Sequence, residues 1–475
     1  MSKNKNAWLA CDDRTLGEIM TFAQGYMNFL SLGKTERRCV RQAIALAEGF
    51  GYRNINEYPE NGKSLKPQDR VYFNMMDKAV VLFHIGSDPI AKGMNIVGAH
   101  IDSPRLDLKQ HPLYEQDGIC LFDTHYYGGI KKYQWTTLPL AMYGVVVLKD
   151  GTHMDIAIGD HPEDEVFCIT DVLPHLGKDQ ASKPTSKAIE GEALNVIAGS
   201  IPQKEDGDEK ASDPVKANIL RLLKDRYGID EDDFISAELE VVPQGEARTC
   251  GLDRSMVLGY GQDDRVMAYT GLIGQLELAN ETLERTAVCL LVDKEEIGSV
   301  GATGMQSHFF EDQVAEVLSL LGEYSELNVR RALRHSTMLS CDVSAAHDPN
   351  VPEVSSPNGN AAQFGCGIAI SKYVGSGGKS HSNDARAEYI AALRKLLDDH
   401  DVVWQTAELG KVDQGGGGTI AYILANYGMD VIDAGVALMS MHSPFELSSK
   451  ADVYEAFCCC KVFLQYMRDL QANSL

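Results

Sequence analysis

The sequence predicts an α/β fold in which one α/β domain is interrupted by a second, β-rich domain. Three observations predict it. Helix-period and strand-like apolar runs alternate over the first hundred residues, the alternation gives way after Pro104 to hairpin patterning, and it resumes from about Ser255 onward. At 475 residues the chain exceeds one ordinary core, so two or three domains are expected, with two as the starting point.

Between Thr15 and Phe50, LGEIMTFAQGYMNFL and RRCVRQAIALAEGF repeat apolar residues at helical spacing, which predicts two amphipathic helices covering a sheet. KAVVLFHIG and MNIVGAH follow as short β-branched runs with glycine, the pattern of buried strands in an α/β sheet. After Pro104, LPLAMYGVVVLKDGTHMDIAIG gathers β-formers around a Lys-Asp-Gly turn and predicts a hairpin. The acidic, small-residue stretch IPQKEDGDEKASDP reads as a mobile loop, and VKANILRLLKDRYG as a helix. The insertion closes near EVVPQGEARTCG, giving a discontinuous α/β domain of residues 1–104 and 245–475 around an inserted domain of residues 105–244.

Composition narrows the partners. A hydrophobic fraction of 44% and a charged fraction of 24% are those of a globular protein. The net charge of −24 repels phosphate backbones and anionic headgroups, which argues against nucleic acid or a membrane surface as partner. No run approaches the ~20 apolar residues that span a bilayer, and the N-terminal MSKNKNAWLACDDRT carries no apolar signal segment, so a cytoplasmic protein is expected. The eleven cysteines are odd in number and irregularly spaced, three of them consecutive at Cys458, Cys459 and Cys460. That pattern fits reduced thiols, and the lack of a CxxC pair leaves any metal to other ligands.

Five apolar runs or run-ends are each followed at once by a side chain able to bind metal. NIVGAH ends in His100, LGYGQDD delivers Asp263, VCLLVDKEE delivers Glu296, STMLSCD delivers Asp342 and VALMSMH ends in His442. In open α/β sheets the ligand crevice lies beyond the carboxyl ends of strands, so such residues converge despite wide sequence separation. Two histidines and three carboxylates suit a pair of divalent ions, one carboxylate bridging centres roughly 3.5–4 Å apart. Zinc is the first expectation, and manganese or cobalt would be held by the same donors.

Each element alone has a plainer reading. His100 with Asp102 could be structural, Asp263 and Asp264 could form a capped turn neutralised by Arg265, and Glu295 with Glu296 could open a solvated helix. The plain readings do not explain why LLVD, a run with buried-strand character, leads straight into two acids and IGSVGATG. Adjacent carboxylates at a buried strand end repel unless cations or protons neutralise them.

GAHIDSPRLDLK, HYYGGIKKYQW, GYGQDDR, LVDKEEIGSVGATG, LSCDVSAAHDPN and SMHSPFELSSKADV together resemble the aspartyl aminopeptidase family of dimetal exopeptidases, over His100 to Val453. The resemblance implies a phosphorylase/hydrolase-like catalytic domain, its mixed central sheet flanked by helices, an inserted lid and dimerisation domain, and a tetrahedral dodecamer built from dimers. It further implies that Asp263 bridges two metals, His100 and Asp342 complete one site, Glu296 and His442 complete the other, and Asp102 orients His100. Glu295 is then left as general base, taking a proton from a metal-bridging water so that hydroxide attacks the scissile carbonyl of a peptide substrate, and returning it to the leaving amine.

This chain departs from the commoner members in having Ile130, Lys131, Lys132, Tyr133, Gln134 and Trp135 after the double glycine, which points to a bacterial branch whose preference need not be acidic. His175, His347 and Lys372 are candidate substrate contacts, with surface or core roles equally open. YVGSGGKS, from Tyr373, nearly spells a phosphate-binding loop but has Tyr373 where glycine is required. Gly415 to Gly418 allow either close substrate approach or a plain turn. A related dimetal amidase or carboxypeptidase, or an inactive scaffold, stands as the alternative.

Overall fold

Capping residues set where the N-terminal helices begin. Asp12 and Thr35 accept the N–H groups of Thr15 and Arg38, at 2.8 and 3.4 Å, and start helices Asp13–Leu32 and Glu36–Gly49. Their apolar faces, with Ile19, Ala23, Tyr26 and Leu30 on the first and Cys39, Val40, Ala43 and Ala47 on the second, are buried as the periodicity predicts. The computed structural model describes residues 5–60, 64–204, 212–377 and 380–468. Residues 205–211 of the acidic stretch, and 378–379 of the glycine-rich YVGSGGKS, lie outside the described residues.

By packing, the described chain divides into two units. The first holds the residues up to Asp102, Ala247–Met441 and those from Glu446 onward, and the second holds Ser103–Glu246 with His442–Phe445. A nine-stranded sheet runs through the first, in the spatial order Arg53–Asn54, Arg70–Met75, Ala79–His84, Thr286–Val292, Met94–His100, Thr337–Cys341, Asp430–Gly435, Ile368–Ser371 and Trp404–Thr406. The four central strands, Thr286–Val292 to Asp430–Gly435, are mutually parallel, and their neighbours on either side run antiparallel to them. The sheet is therefore mixed, and its four central carboxyl ends emerge on one edge.

Strand Thr286–Val292 is buried at every position, which is why it reads as a continuous apolar run. Ala287, Cys289 and Leu291 face one core, shared with helices Asp13–Leu32, Gln262–Leu276 and Lys450–Tyr466. Val288, Leu290 and Val292 face the other, closed by helices Phe309–Leu320 and Glu326–Arg334. Each fully buried leucine or valine here contributes about 1.5–3 kcal/mol relative to exposure.

A separate five-stranded sheet in the first unit orders Arg248–Cys250, Met256–Gly259, Glu446–Ser449, Ala437–Met439 and Ser344–Ala345. The second unit is built on a six-stranded antiparallel sheet: His153–Ile158, Leu140–Val147, Ala237–Pro243, Arg105–Gln116, Ile119–Tyr127 and Val196–Gly199. Its first two strands form the hairpin around Lys-Asp-Gly, and VKANILRLLKDRYG forms most of helix Pro214–Tyr227. YVGSGGKS starts a hairpin, Tyr373–Ser376 paired antiparallel with Ser380–Asp384, instead of the strand-to-helix turn that a phosphate loop needs. Among the described residues no helix is long and apolar enough to cross a membrane.

Candidate metal centre

The parallel register at the sheet centre delivers three acidic or imidazole segments to one edge. His100 is the last residue of its strand, Asp342 follows strand Thr337–Cys341, and Glu295 and Glu296 lie three and four residues past Val292. Asp263 and His442 instead follow strands Met256–Gly259 and Ala437–Met439 of the five-stranded sheet. The strand-end rule thus holds along the chain, but two sheets share the task. Sequence alone does not distinguish them, because pairing partners leave no mark on an apolar run.

Asp102 organises the first segment. Its two carboxylate oxygens accept the N–H groups of Glu295 and Glu296, each at 3.1 Å. His100 Nδ1 lies 3.1 Å from the Asp102 carbonyl oxygen and 3.3 Å from its Oδ1. That contact directs the opposite nitrogen, Nε2, to within 3.2 Å of Asp263 Oδ1 and 3.9 Å of Glu295 Oε2. Glu295 opens the short 3-10 turn Glu295–Ile297, bracketed by left-handed Lys294 (φ 70°) and Gly298 (φ 93°). The two glutamates therefore start a single 3-10 turn, half-buried and not a solvated α-helix, directly after the left-handed Lys294.

Glu446 holds the Asp263 segment, its Oε2 accepting the N–H of Gln262 at 2.6 Å and of Asp263 at 3.1 Å. The Asp263–Asp264 peptide is cis. Arg265 does not read as a solvated neutraliser: it is almost wholly buried and donates from Nε to the Ile101 carbonyl at 3.0 Å. Asp342 rests against Gly435, where an added Cβ would overlap the Asp342 carbonyl.

The ligand-capable atoms of His100, Asp263 and Glu296 lie within 4.8 Å of one another, as do those of His100, Glu295 and Asp342, and those of Asp263, Asp264 and Asp342. Burial, reinforced by the charges of Asp263 and Glu295, pushes the Asp342 carboxyl well above the usual carboxylate range. Asp264, fully buried, is driven the same way by burial and then by Asp342 and Asp263. For His100 burial opposes the charged form, yet hydrogen bonds to Asp102 and Asp263 win and hold its proton far above pH 6.5. A place that protonates its acids and keeps a proton on a buried imidazole is short of positive charge. One imidazole among clustered carboxylates is also a donor set for divalent ions such as zinc, so the residues fit a bound metal.

The other candidates are not members of these groups among the described residues. His442, in the second unit, adopts a left-handed φ of 63° and sets Nδ1 2.9 Å from the Gly129 carbonyl. A carbonyl at Nδ1 fixes the tautomer that leaves Nε2 as a donor atom for metal. His175 is exposed on a turn of the second unit. His347 is half-buried with Nδ1 2.9 Å from Ser355 Oγ, and Lys372 is exposed, its Nζ 2.9 Å from Tyr373 OH. Sequence reasoning did not pick out Asp264 or Glu446. The Asp-Asp repeat was the available signal for the first, and nothing local marks the second.

The family profile described as aminopeptidase I zinc metalloprotease (M18) matches residues 29–464. A probable M18 family aminopeptidase 1 from Clostridium acetobutylicum is 56% identical, over 96% of this chain and 97% of its own. A crystal structure of an M18-family aminopeptidase from Thermotoga maritima superposes with a TM-score of 0.92 at 43% identity, covering 98% of this chain and all of that one. A structure of the Saccharomyces cerevisiae mApe1 dodecamer shares the fold, with a TM-score of 0.74 at 18% identity, over 94% of this chain and 96% of that one.

Proposed function

The chain belongs to the M18 family of aminopeptidase I zinc metalloproteases, and from that premise we propose that it removes N-terminal residues from peptides at a two-metal centre with Glu295 as general base. The observation that carries this reading is the convergence of His100, Asp263, Glu295, Glu296 and Asp342 within ligand-sharing distance at the strand ends. We assign Asp263 as the bridging ligand, His100 and Asp342 to one metal, and Glu296 and His442 to the other. Two divalent ions held there would polarise the scissile carbonyl and make a water readily ionised.

The chain's own groups do the rest. Asp102 fixes the ring of His100 and, through two N–H contacts, the turn that carries both glutamates. Glu295 is about one-sixth exposed, so it can reach solvent and substrate while His100 and Asp263 beside it stay buried. It takes the proton of the attacking water and hands it to the leaving amine, a role worth roughly 10²–10⁴-fold in rate. His175, His347 and Lys372 serve as substrate contacts in this reading. The second unit acts as lid and dimerisation domain of a dodecamer, the assembly that Saccharomyces cerevisiae mApe1 forms. None of the eleven cysteines is in a disulfide, which suits the reducing cytoplasm.

Release of free amino acids from a panel of aminoacyl-anilides, with and without chelator, tests the proposal. Metal-dependent release from at least one member is expected. Release from blocked or C-terminal substrates instead would point to a dimetal amidase or carboxypeptidase.

A further inference from the structure

Past Asp342 the chain stays extended: the N–H groups of Asp342, Ser344 and Ala346 bond in turn to the carbonyls of Ala434, Val436 and Leu438. Ala345 and Ala346 on this stretch form one wall of a cavity of about 220 Å³. At roughly 3.3–3.6 Å per residue, Ala345 lies within about 11 Å of Asp342 along the chain. Ser355, Ser356, Glu408 and Gln414 also line the cavity. His347 braces Ser355 through its 2.9 Å contact with the hydroxyl.

Small side chains make the hollow, and glycines let the segment from Leu409 to Gly415 fold closely on itself. A Cβ at Gly415 would overlap the Leu409 carbonyl, and Gly410 takes a left-handed φ of 72°. Among the described residues that line the cavity, Glu408 carries the only formal charge. It is half-buried, and its carboxylate has no hydrogen-bond or ion-pair partner among the described residues, although its backbone is anchored to Asn360 at 2.8 Å. A half-buried carboxylate in a hollow lined by hydroxyls and an amide is placed to pair a cationic group that enters it.

We propose that this cavity receives the side chain of the substrate's N-terminal residue and selects lysine or arginine, with Glu408 pairing the ammonium or guanidinium head. The proposal rests on the aminopeptidase reading, and it names the substrate class that reading leaves open. The walls near Asp342 take the aliphatic stem, and Glu408 with the serines and Gln414 meets the polar head. A net charge of −24 also draws cationic peptides toward the protein over anionic ones.

Norleucine keeps the four side-chain carbons of lysine and lacks its terminal ammonium, so their comparison reads the charged head, and Glu408→Gln isolates Glu408. The metal-loaded enzyme should show kcat/KM for lysyl-anilide about 10–100-fold above that for norleucyl-anilide, the range for a hydrogen bond to a charged group. Glu408→Gln should lower that ratio by a similar factor, and Glu408→Arg should turn the preference toward aspartyl-anilide. Equal rates on lysyl and norleucyl substrates, or a ratio unmoved by Glu408→Gln, overturn the proposal and leave the aminopeptidase reading standing. Calorimetric binding of lysinamide against norleucinamide reads the cavity without turnover. A Glu408-dependent preference there, with no release from any anilide, keeps the cavity assignment and overturns the aminopeptidase reading.

Discussion

Asp102 accepts one N–H from Glu295 and one from Glu296 while its own carbonyl and Oδ1 face His100 Nδ1, so three residues proposed for the chemistry are positioned by one buried side chain. Two adjacent glutamates can then differ in role because the reversal at Lys294 fixes both N–H groups and lets the carboxylates diverge. Glu296 groups with His100 and Asp263, whereas Glu295 groups with His100 and Asp342. Glu295→Gln should therefore keep its metal by elemental analysis while kcat falls about 10²–10⁴-fold. Loss of metal in that variant, with retention in Glu296→Gln, would mean the two roles are exchanged. Asp102→Asn replaces one accepting oxygen with a donor that meets an N–H head-on. Zinc affinity, measured by competition with a chromophoric chelator, should fall about 10–100-fold, the usual effect of disturbing a group that orients a ligand.

At the scale of elements, the strand ends were legible because burial on both faces writes an uninterrupted apolar run, and the first polar residue after it marks where the sheet stops. Thr286–Val292 leading to Glu295 and Glu296 is the clearest case. Strand order was not legible: Met94–His100 sits between Thr286–Val292 and Thr337–Cys341, strands that come far later in the chain, and backbone pairing carries no sequence label. Nor was the division of ligands between two sheets, nor the full burial of Asp264, which depends on what the fold packs over it. Gly435 shows how closely element and site are joined. Gly435→Ala should push the Asp342 backbone away from its neighbouring strand, and metal content should drop below that of wild type while circular dichroism stays native. Helix Lys450–Tyr466 offers a test away from the metals. Asp452 in its first turn accepts the N–H groups of Gly365 and Gly367 at 2.8 and 2.7 Å, and burial pushes its carboxyl up to about 8. Between the unfolded value near ~4 and about 8 the folded state binds the extra proton, so this group's contribution to stability falls as pH rises through that window. Asp452→Asn removes the titration, and the wild-type Tm should decline relative to the variant's from pH 4 to pH 8. A constant difference across that range would show that Asp452 keeps its ordinary titration.

For the whole molecule, His100, Asp263, Glu296 and Asp342 of the proposed centre join strand ends of two sheets within the first unit, so metal content should govern stability as well as turnover. Light scattering of the metal-loaded protein should report a particle of twelve chains, against 52.1 kDa for one. Without metal, the Asp342 and Asp264 carboxyls are raised well above their usual range by burial, and His100 is held protonated by Asp102 and Asp263 against the pull of burial. All three shifts have the same sign: the folded state binds protons that the unfolded chain releases, so the stability they contribute is lost as pH rises through their folded values. Metal takes the place of those protons and binds the folded state alone, which stabilises it by mass action. Zinc and protons therefore compete for one set of side chains, and raising the pH weakens the competitor while it weakens the metal-free fold. The Tm difference between zinc-loaded and chelator-treated protein should widen from pH 6 to pH 9 in a thermal-shift series at fixed free zinc. A difference independent of pH would mean that these carboxylates are not proton-loaded in the metal-free protein, and that another counter-charge holds the cluster together.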